Sequence, residues 1–272
     1  MPKRVLMSIG AHADDIEFNT GGTLLKYHDL GYDIIYVMAT NNMSGYWVKL
    51  KPDGGREREI CPYDRMMPQR KHEAAEAAAR VFGTEPIHLD HPQRHYTDKN
   101  GDRVELRYGN AKPDCVAPDT PSILTAHEHS PAIQRVTDLI LQHKPEAVLT
   151  HGPAMVDMEH IGTCLLVTKA YRNAMDAGHD GLLLHWLDYT PSIFGDCFNR
   201  WDTFVDVSDT WERKFDAIEL HACQLPDARR VLEFPDCSAA CGCRHAETFT
   251  IGRRRKSLPP DAAFTFETLN NA

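Results

Sequence analysis

Gly10-Ala11-His12-Ala13-Asp14-Asp15-Ile16-Glu17, followed by Thr20-Gly21-Gly22-Thr23, is the stretch around which the chain is organised. It stands at the end of an apolar run, Val5 to Ile9, that reads as a short buried strand. Thr20 to Thr23 and the Leu24-Leu25 pair read as a loop entering a helix. One histidine and two aspartates therefore leave the carboxyl end of the first strand, where open α/β sheets place their ligands. His and Asp both suit zinc. Two adjacent carboxylates allow one to bind metal while the other moves a proton. The same residues also fit a plain polar loop with a helix-capping acid, so the remainder of the chain has to decide.

Working outward, a helix is expected from about Gly21 to Leu30, ended by Gly31, and a second apolar strand over Asp33 to Ala39. Strand, helix and strand make a βαβ unit with parallel pairing. Thr40 to Pro68 reads as a long polar loop, and Gln69 to Phe82 as a helix with Ala at 74, 75, 77, 78 and 79, stopped by Gly83. Pro86 to Leu89 begins a third strand, with Asp90 at its end. His91 to Pro131, with five prolines, reads as an insertion: a lid, or a contact that would make the chain a homo-oligomer. Ile133, Val136 and Ile140 mark a helix ending near Lys144, Glu146 to Thr150 a fourth strand, and a helix follows from near His160 to about Met175. Leu182 to Leu187 and Thr203 to Val207 are later strands, and Ser208 to Cys223 is a helix capped by Ser208 or Asp209.

The 272 residues suit one large α/β domain or two small ones, and no linker or repeat divides them. A net charge of −9 argues against nucleic acid or an anionic membrane as the main partner. The basic run Arg253 to Lys256 is too short to alter that and reads as a solvated face. No apolar run reaches the roughly 18 residues of a membrane span. Lys3 and Arg4 precede an apolar run that stops at Gly10, so no leader is expected. The eight cysteines then read as reduced thiols of a cytoplasmic protein. Neither a dinucleotide fingerprint after the first strand nor a P-loop occurs. Cys237, Cys241, Cys243 and His245 lie close enough for a structural zinc, although their spacing fits no familiar finger and free thiols are the plainer reading.

His12-Ala13-Asp14-Asp15 with Gly21-Gly22-Thr23-Leu24 resembles the N-terminal signature of the PIG-L/LmbE-like zinc de-N-acetylases, with Ala13 where that family usually has Pro. These enzymes remove acetyl groups from N-acetylglucosamine-type sugars. Thr150-His151 and Asp157-Met158-Glu159-His160 resemble the family's second segment, Thr-His and then His-Pro-Asp-His. The likeness implies a ligand set of His12, Asp15 and His160 for Zn2+ or another divalent metal. This chain departs from the family at Asp157, which stands where the first His is usual, and at Glu159, which replaces Asp. Arg70-Lys71-His72-Glu73 resembles a helix whose Arg points to the site, Asp90 holds the place of an acid after the third strand, and Lys214, His221 and Gln224 resemble a late helix. The bland alternatives are a surface ion pair for Arg70 and a core histidine for His221.

The expectation is a single-domain α/β protein over 1–272 with a Rossmann-like, mostly parallel sheet, helices on both faces, and loop insertions near 40–68 and 91–131 that shape the pocket. Its chemistry would be metal-dependent removal of an N-acetyl group from an N-acetylated sugar. Asp14 would be the base, Arg70 would assist the oxyanion, Asp157 would orient His160 or touch substrate, and His221 would be a weaker proton donor. The rivals are another metallohydrolase, such as a phosphoesterase, and a sugar-binding relative that has lost turnover.

Overall fold

The computed structural model describes residues 3–106, 113–153, 155, 157–186, 201–234 and 238–253. In chain order the elements are β1 (Val5–Gly10), α1 (Asp15–Asp29), β2 (Asp33–Thr40), β3 (Tyr46–Leu50), β4 (Arg56–Ile60), α2 (Tyr63–Phe82), β5 (Ile87–His91), β6 (His95–Thr97) and β7 (Arg103–Glu105). A single 3-10 turn (Ala126–Glu128) is followed by α3 (Ser130–His143), β8 (Ala147–His151), α4 (Met158–Asp176), β9 (Leu182–Trp186), β10 (Thr203–Asp206), α5 (Trp211–Ile218), α6 (Ala228–Val231), α7 (Ser238–Cys241) and β11 (Ala246–Arg253).

Seven strands form one sheet in the order β10-β11-β9-β8-β1-β2-β5. β1 pairs in parallel with β2 and β8, β2 with β5, and β8 with β9. β11 runs antiparallel to both of its neighbours. Successive residues of a strand point to opposite faces, and β1 shows the division. Leu6 joins Ile16, Leu24, Tyr36, Ala78 and Phe82 beneath α1 and α2. Met7 and Ile9 join Val136, Ile140, Leu166 and Val167 beneath α3 and α4. Burial on both faces is why these strands read as continuous apolar runs. The chain steps outward from β1 to β2 to β5, then returns to the far side of β1 for β8 and β9. The order therefore reverses between β1 and β8. The carboxyl ends at such a reversal are where open sheets of this kind bind ligands.

Several elements differ from expectation. α1 begins at Asp15, so Thr20 to Thr23 lie inside the helix and not in a loop. Packing explains the glycines: a Cβ on Gly22 would stand 2.7 Å from Val207 Cβ. Gly22 and Thr23 donate their amides to the Glu247 carboxylate at 2.9 and 2.7 Å, and Thr210 Oγ1 donates to the Gly22 carbonyl at 2.9 Å. Glu247 is fully buried and is neutralised by Lys214 Nζ at 2.6 Å. α2 starts six residues early and carries Pro68 inside it. Met66, in the same first turns, is buried with Cys61 and Cys223. The polar loop after β2 holds the β3–β4 hairpin, and the proline-rich insertion holds β6–β7. The late helix is shorter than expected, ending at Ile218, so His221 and Gln224 lie in the turns beyond it; its N-cap is Thr210. Cys237, Leu187 and the basic run from 254 onward lie outside the described residues.

Candidate metal centre at the sheet reversal

The turn between β1 and α1 is held from every side. The Ala11 carbonyl accepts from the Thr40 amide and, at 2.7 Å, from Thr40 Oγ1. The Ala13 amide donates to Asn42 Oδ1 at 2.8 Å, and the His12 amide to Asp15 Oδ2 at 2.6 Å. Arg70, from α2, donates to the Ser44 carbonyl at 3.2 Å, the Ala13 carbonyl at 2.9 Å and Asp14 Oδ1 at 3.2 Å. These bonds hold Asp14 at φ 130°. That left-handed geometry costs a non-glycine residue about 1–3 kcal/mol and persists only where the surroundings over-determine it.

The strap brings the two predicted segments together. The His12 Nδ1, the Asp15 carboxylate and His160 Nε2 all lie within 4.8 Å of one another. His160 Nε2 is 3.2 Å from His12 Nδ1 and 3.3 Å from Asp15 Oδ1. Two imidazoles and one carboxylate suit zinc and related divalent metals, and a set of three leaves a position open. The orientation of His12 fits this use. Its Nε2 lies 2.5 Å from Glu159 Oε2. Burial pushes the Glu159 carboxyl up, but bonds from His12, Gln93 and the Arg94 amide outweigh it and hold it down at about 2. An ionised carboxylate only accepts, so His12 Nε2 carries a proton toward Glu159 and Nδ1 is the ring atom turned to the centre. Burial also pushes His12 down, yet Asp15 and Glu159 raise it to about 10. This pocket draws a positive charge onto whatever it surrounds, the electrostatic condition for holding a cation. Among the described residues no other group of His, Cys, Asp and Glu is arranged this way.

Each remaining predicted residue takes a definite place. Asp14 stands beside the donor set, with its side chain 19% exposed. Burial raises its carboxyl, Arg70 lowers it and the neighbouring Asp15 raises it again, leaving it above the ordinary value. Arg70 is only 5% exposed, and its contacts go to the turn and to Ser44, so it positions Asp14 and is not poised over the centre. Asp157 caps α4, accepting the Glu159 amide at 2.7 Å, and so fixes the turn that presents Glu159 and His160. His221 is fully buried, 3.2 Å from Glu17 Oε2, which also accepts from Tyr36 Oη at 3.1 Å. Burial lowers the His221 imidazole, but Glu17, Asp14 and Glu73 raise it overall. Asp90 pairs with Lys71 and is half exposed. His245 stacks on Trp211, its ring 3.9 Å away, and Cys243 Sγ bonds the His245 carbonyl.

Sequence reasoning notes His151 and Glu159 in the second segment without giving either a role, and does not single out Gln93. His151 closes β8 with its Nε2 3.1 Å from Asp15 Oδ2, its ring stacked 4.0 Å from His160 and edge-on to Trp186. Its position at the end of the strand beside β1 was the available signal. Glu159 stood in that segment with no partner named, and Gln93 had no local signature.

Comparison with known proteins bears on the fold and the family. A curated diacetylchitobiose deacetylase from Thermococcus kodakarensis is 22% identical over 231 residues, 83% of this chain and 71% of that protein. The solved N,N'-diacetylchitobiose deacetylase of Pyrococcus horikoshii superposes at a TM-score of 0.60 with 18% identity, covering 92% of this chain and 84% of that one. A 4-carboxy-2-hydroxymuconate hydratase from Pseudomonas putida shares the fold at a TM-score of 0.63 and 19% identity, covering 94% and 99%. The family described as PIG-L, GlcNAc-PI de-N-acetylase, matches residues 7–171, which include His12, Asp14, Asp15, Arg70, Glu159 and His160, and the chain belongs to that family.

Proposed function

We propose that the protein is a metal-dependent hydrolase that removes the N-acetyl group from an N-acetylglucosamine-type sugar or sugar conjugate. The observation that carries the reading is a strained, partly exposed Asp14 fixed by Arg70 beside the His12, Asp15 and His160 donor set. A zinc or similar ion at those three side chains supplies Lewis acidity toward the amide carbonyl and lowers the pKa of water. Asp14 takes a proton from the attacking water and returns it to the departing nitrogen. Acetate and a free amine result, and Asp14 ends as it began. Its raised pKa suits a group that must both accept and release a proton. Arg70 keeps the carboxylate in place, and His151 and Glu159 keep the ligand rings in place. His221, fully buried and 3.2 Å from Glu17 Oε2, is read as a supporting residue and not as the proton donor to the amine.

The choice of an amide over a phosphate ester follows from charge. Asp14, Asp15, Glu17, Glu73 and Glu159 crowd the site against two guanidiniums, Arg70 at Asp14 and Arg94, 3.9 Å from Glu159 Oε1. A phosphoryl group would meet repulsion there, whereas a neutral sugar amide would not. The likeness to diacetylchitobiose deacetylases supports an acetylated aminosugar. β2, β5 and β8 end at the same edge as β1, so the segment 40–68 and the described parts of 91–131 leave beside the centre, where we take them to form its walls. We read the whole chain as one domain.

A second reading, hydration of an unsaturated acid, is favoured by the shared fold of the Pseudomonas hydratase, since a base that activates water serves either reaction. Zinc-loaded protein assayed against a panel of N-acetylated aminosugars, with acetate and free amine quantified, decides between them. Stoichiometric acetate and amine is the expected result. Turnover of a conjugated hydroxy acid by loss of its ultraviolet absorbance, with no acetate released from the panel, would replace the deacetylase reading.

A further inference from the structure

We propose that the segment following β5 sets metal affinity by clamping the His12 ring through Glu159. This rests on His12, Asp15 and His160 being the metal ligands. Glu159 is 3% exposed, and both of its oxygens are occupied. Oε2 meets His12 Nε2 at 2.5 Å and Gln93 Nε2 at 2.8 Å, and Oε1 accepts the Arg94 amide at 2.7 Å. Gln93, also 3% exposed, uses its other end: Oε1 accepts the Ser44 amide at 2.7 Å. Ser44 in turn has Oγ 2.9 Å from His95 Nε2, and its carbonyl accepts from Arg70 at 3.2 Å. A continuous polar chain therefore runs from the ligand ring to both wall segments, those after β2 and after β5.

The consequence is physical. A carboxylate that holds the distal nitrogen of a ligand imidazole fixes the ring's tautomer and direction and strengthens it as a donor. Here that carboxylate is itself hydrogen-bonded by the Gln93 side chain and the Arg94 amide, with the Arg94 guanidinium a further 3.9 Å ion-pair contact. Without Gln93, Glu159 loses the one side-chain hydrogen bond that holds its Oε2 beside His12. Gln93 and Glu159 are thus positioning residues, and the wall that faces substrate is mechanically continuous with the ligand set.

The test uses the full chain, stripped of metal and titrated with Zn2+ alone against a chromophoric chelator. Glu159→Gln and Gln93→Met are compared with the parent and with Gln134→Met, a change on the exposed face of α3. Glu159→Gln is expected to weaken zinc binding by about 10- to 100-fold, and Gln93→Met by roughly 10-fold. In both, the slowly exchanging His12 Nε2–H signal of the zinc-loaded protein should be lost or shifted. Gln134→Met should match the parent. Failure of the parent itself to bind zinc would remove the ligand assignment on which the inference stands. A parent that binds, with both variants within twofold of it, would overturn the clamp while leaving the ligands intact. If Glu159→Gln does not fold, Gln93→Met carries the decision. A purely packing role would lower its thermal midpoint and leave its zinc constant unchanged.

Discussion

Replacing Arg70 by Met removes the guanidinium that the Asp14 turn is built around, and leaves the hydrocarbon stem in place. The loss has three parts: the bonds to the Ser44 and Ala13 carbonyls and the ion pair with Asp14. Breaking a buried pair by deleting one partner costs about 3–5 kcal/mol. Asp14 is 19% exposed, so water recovers part of this and the lower figure, about 3 kcal/mol, applies. For 272 residues an unfolding entropy of about 2.1 cal/mol/K per residue gives about 0.57 kcal/mol/K, and hence a fall in thermal midpoint of about 5 °C. Activity should fall further than stability. Asp14 at φ 130° is strained, and once unclamped it relaxes away from the donor set. A displacement of about 1 Å at a reacting group costs about 10²-fold. Arg70→Lys should lie between, because an ammonium restores the charge but cannot fork to three acceptors. Calorimetry and kcat on an N-acetylated aminosugar read both effects. An Arg70→Met protein that melts within 1 °C of the parent and keeps its kcat would refute the account of this turn.

Asp14→Asn should keep its metal and lose about 10²- to 10⁴-fold in kcat, measured by amine release alongside elemental analysis; parental turnover would assign the base elsewhere. His12→Ala and His160→Ala should each lose bound metal, and full occupancy in either would remove it from the ligand set. His91 provides a pH prediction away from the centre. Burial pushes its imidazole down to about 4 against a bond to the Pro121 carbonyl, with Arg135 lowering it further, from an ordinary 6.5. Between pH 6.5 and 4 the unfolded chain takes the proton first. Stability contributed by neutral His91 is therefore present above pH 6.5 and is lost as pH falls through the window, by up to about 3 kcal/mol. His91→Gln should flatten that part of the stability curve in urea titrations. A curve of unchanged slope would show that other groups cause it.

The parts of this fold legible in the sequence are those whose signal is local. Val5 to Ile9 and Asp33 to Ala39 announce buried parallel strands because both faces are covered. His12 and Asp15 announce a centre because they leave a strand together. His160 was reachable from its place at a helix start. The start of α1 was misread because Gly21 and Gly22 look like loop punctuation, whereas their smallness serves contact with Lys214 and Val207. β11 escaped notice because Glu247 interrupts its apolar pattern, a position that Lys214 and the Gly22 and Thr23 amides make tolerable. Glu159 was notable only as the residue standing where the family usually has Asp. Its bond to His12 spans 147 residues, and no window along the chain contains both ends. Asp157 was weighed as chemistry and is a cap, a role that its spacing from the Glu159 amide could have suggested.

The carboxylate of Glu247 that receives the Gly22 and Thr23 amides also imposes an order in time. Those partners are 225 and 224 residues apart in the chain. At about 5–20 residues per second of synthesis, the helix that begins with Asp15 waits on the order of 11 to 45 s for the strand that completes its seating. During that interval Lys214 also emerges, without its counter-charge. A nascent chain halted before Ala246 would thus display His12, Asp15 and His160 in sequence but on a helix without its final support. Ribosome-bound intermediates of increasing length, probed by proteolysis around residue 22, should become resistant only after β11 has cleared the exit tunnel.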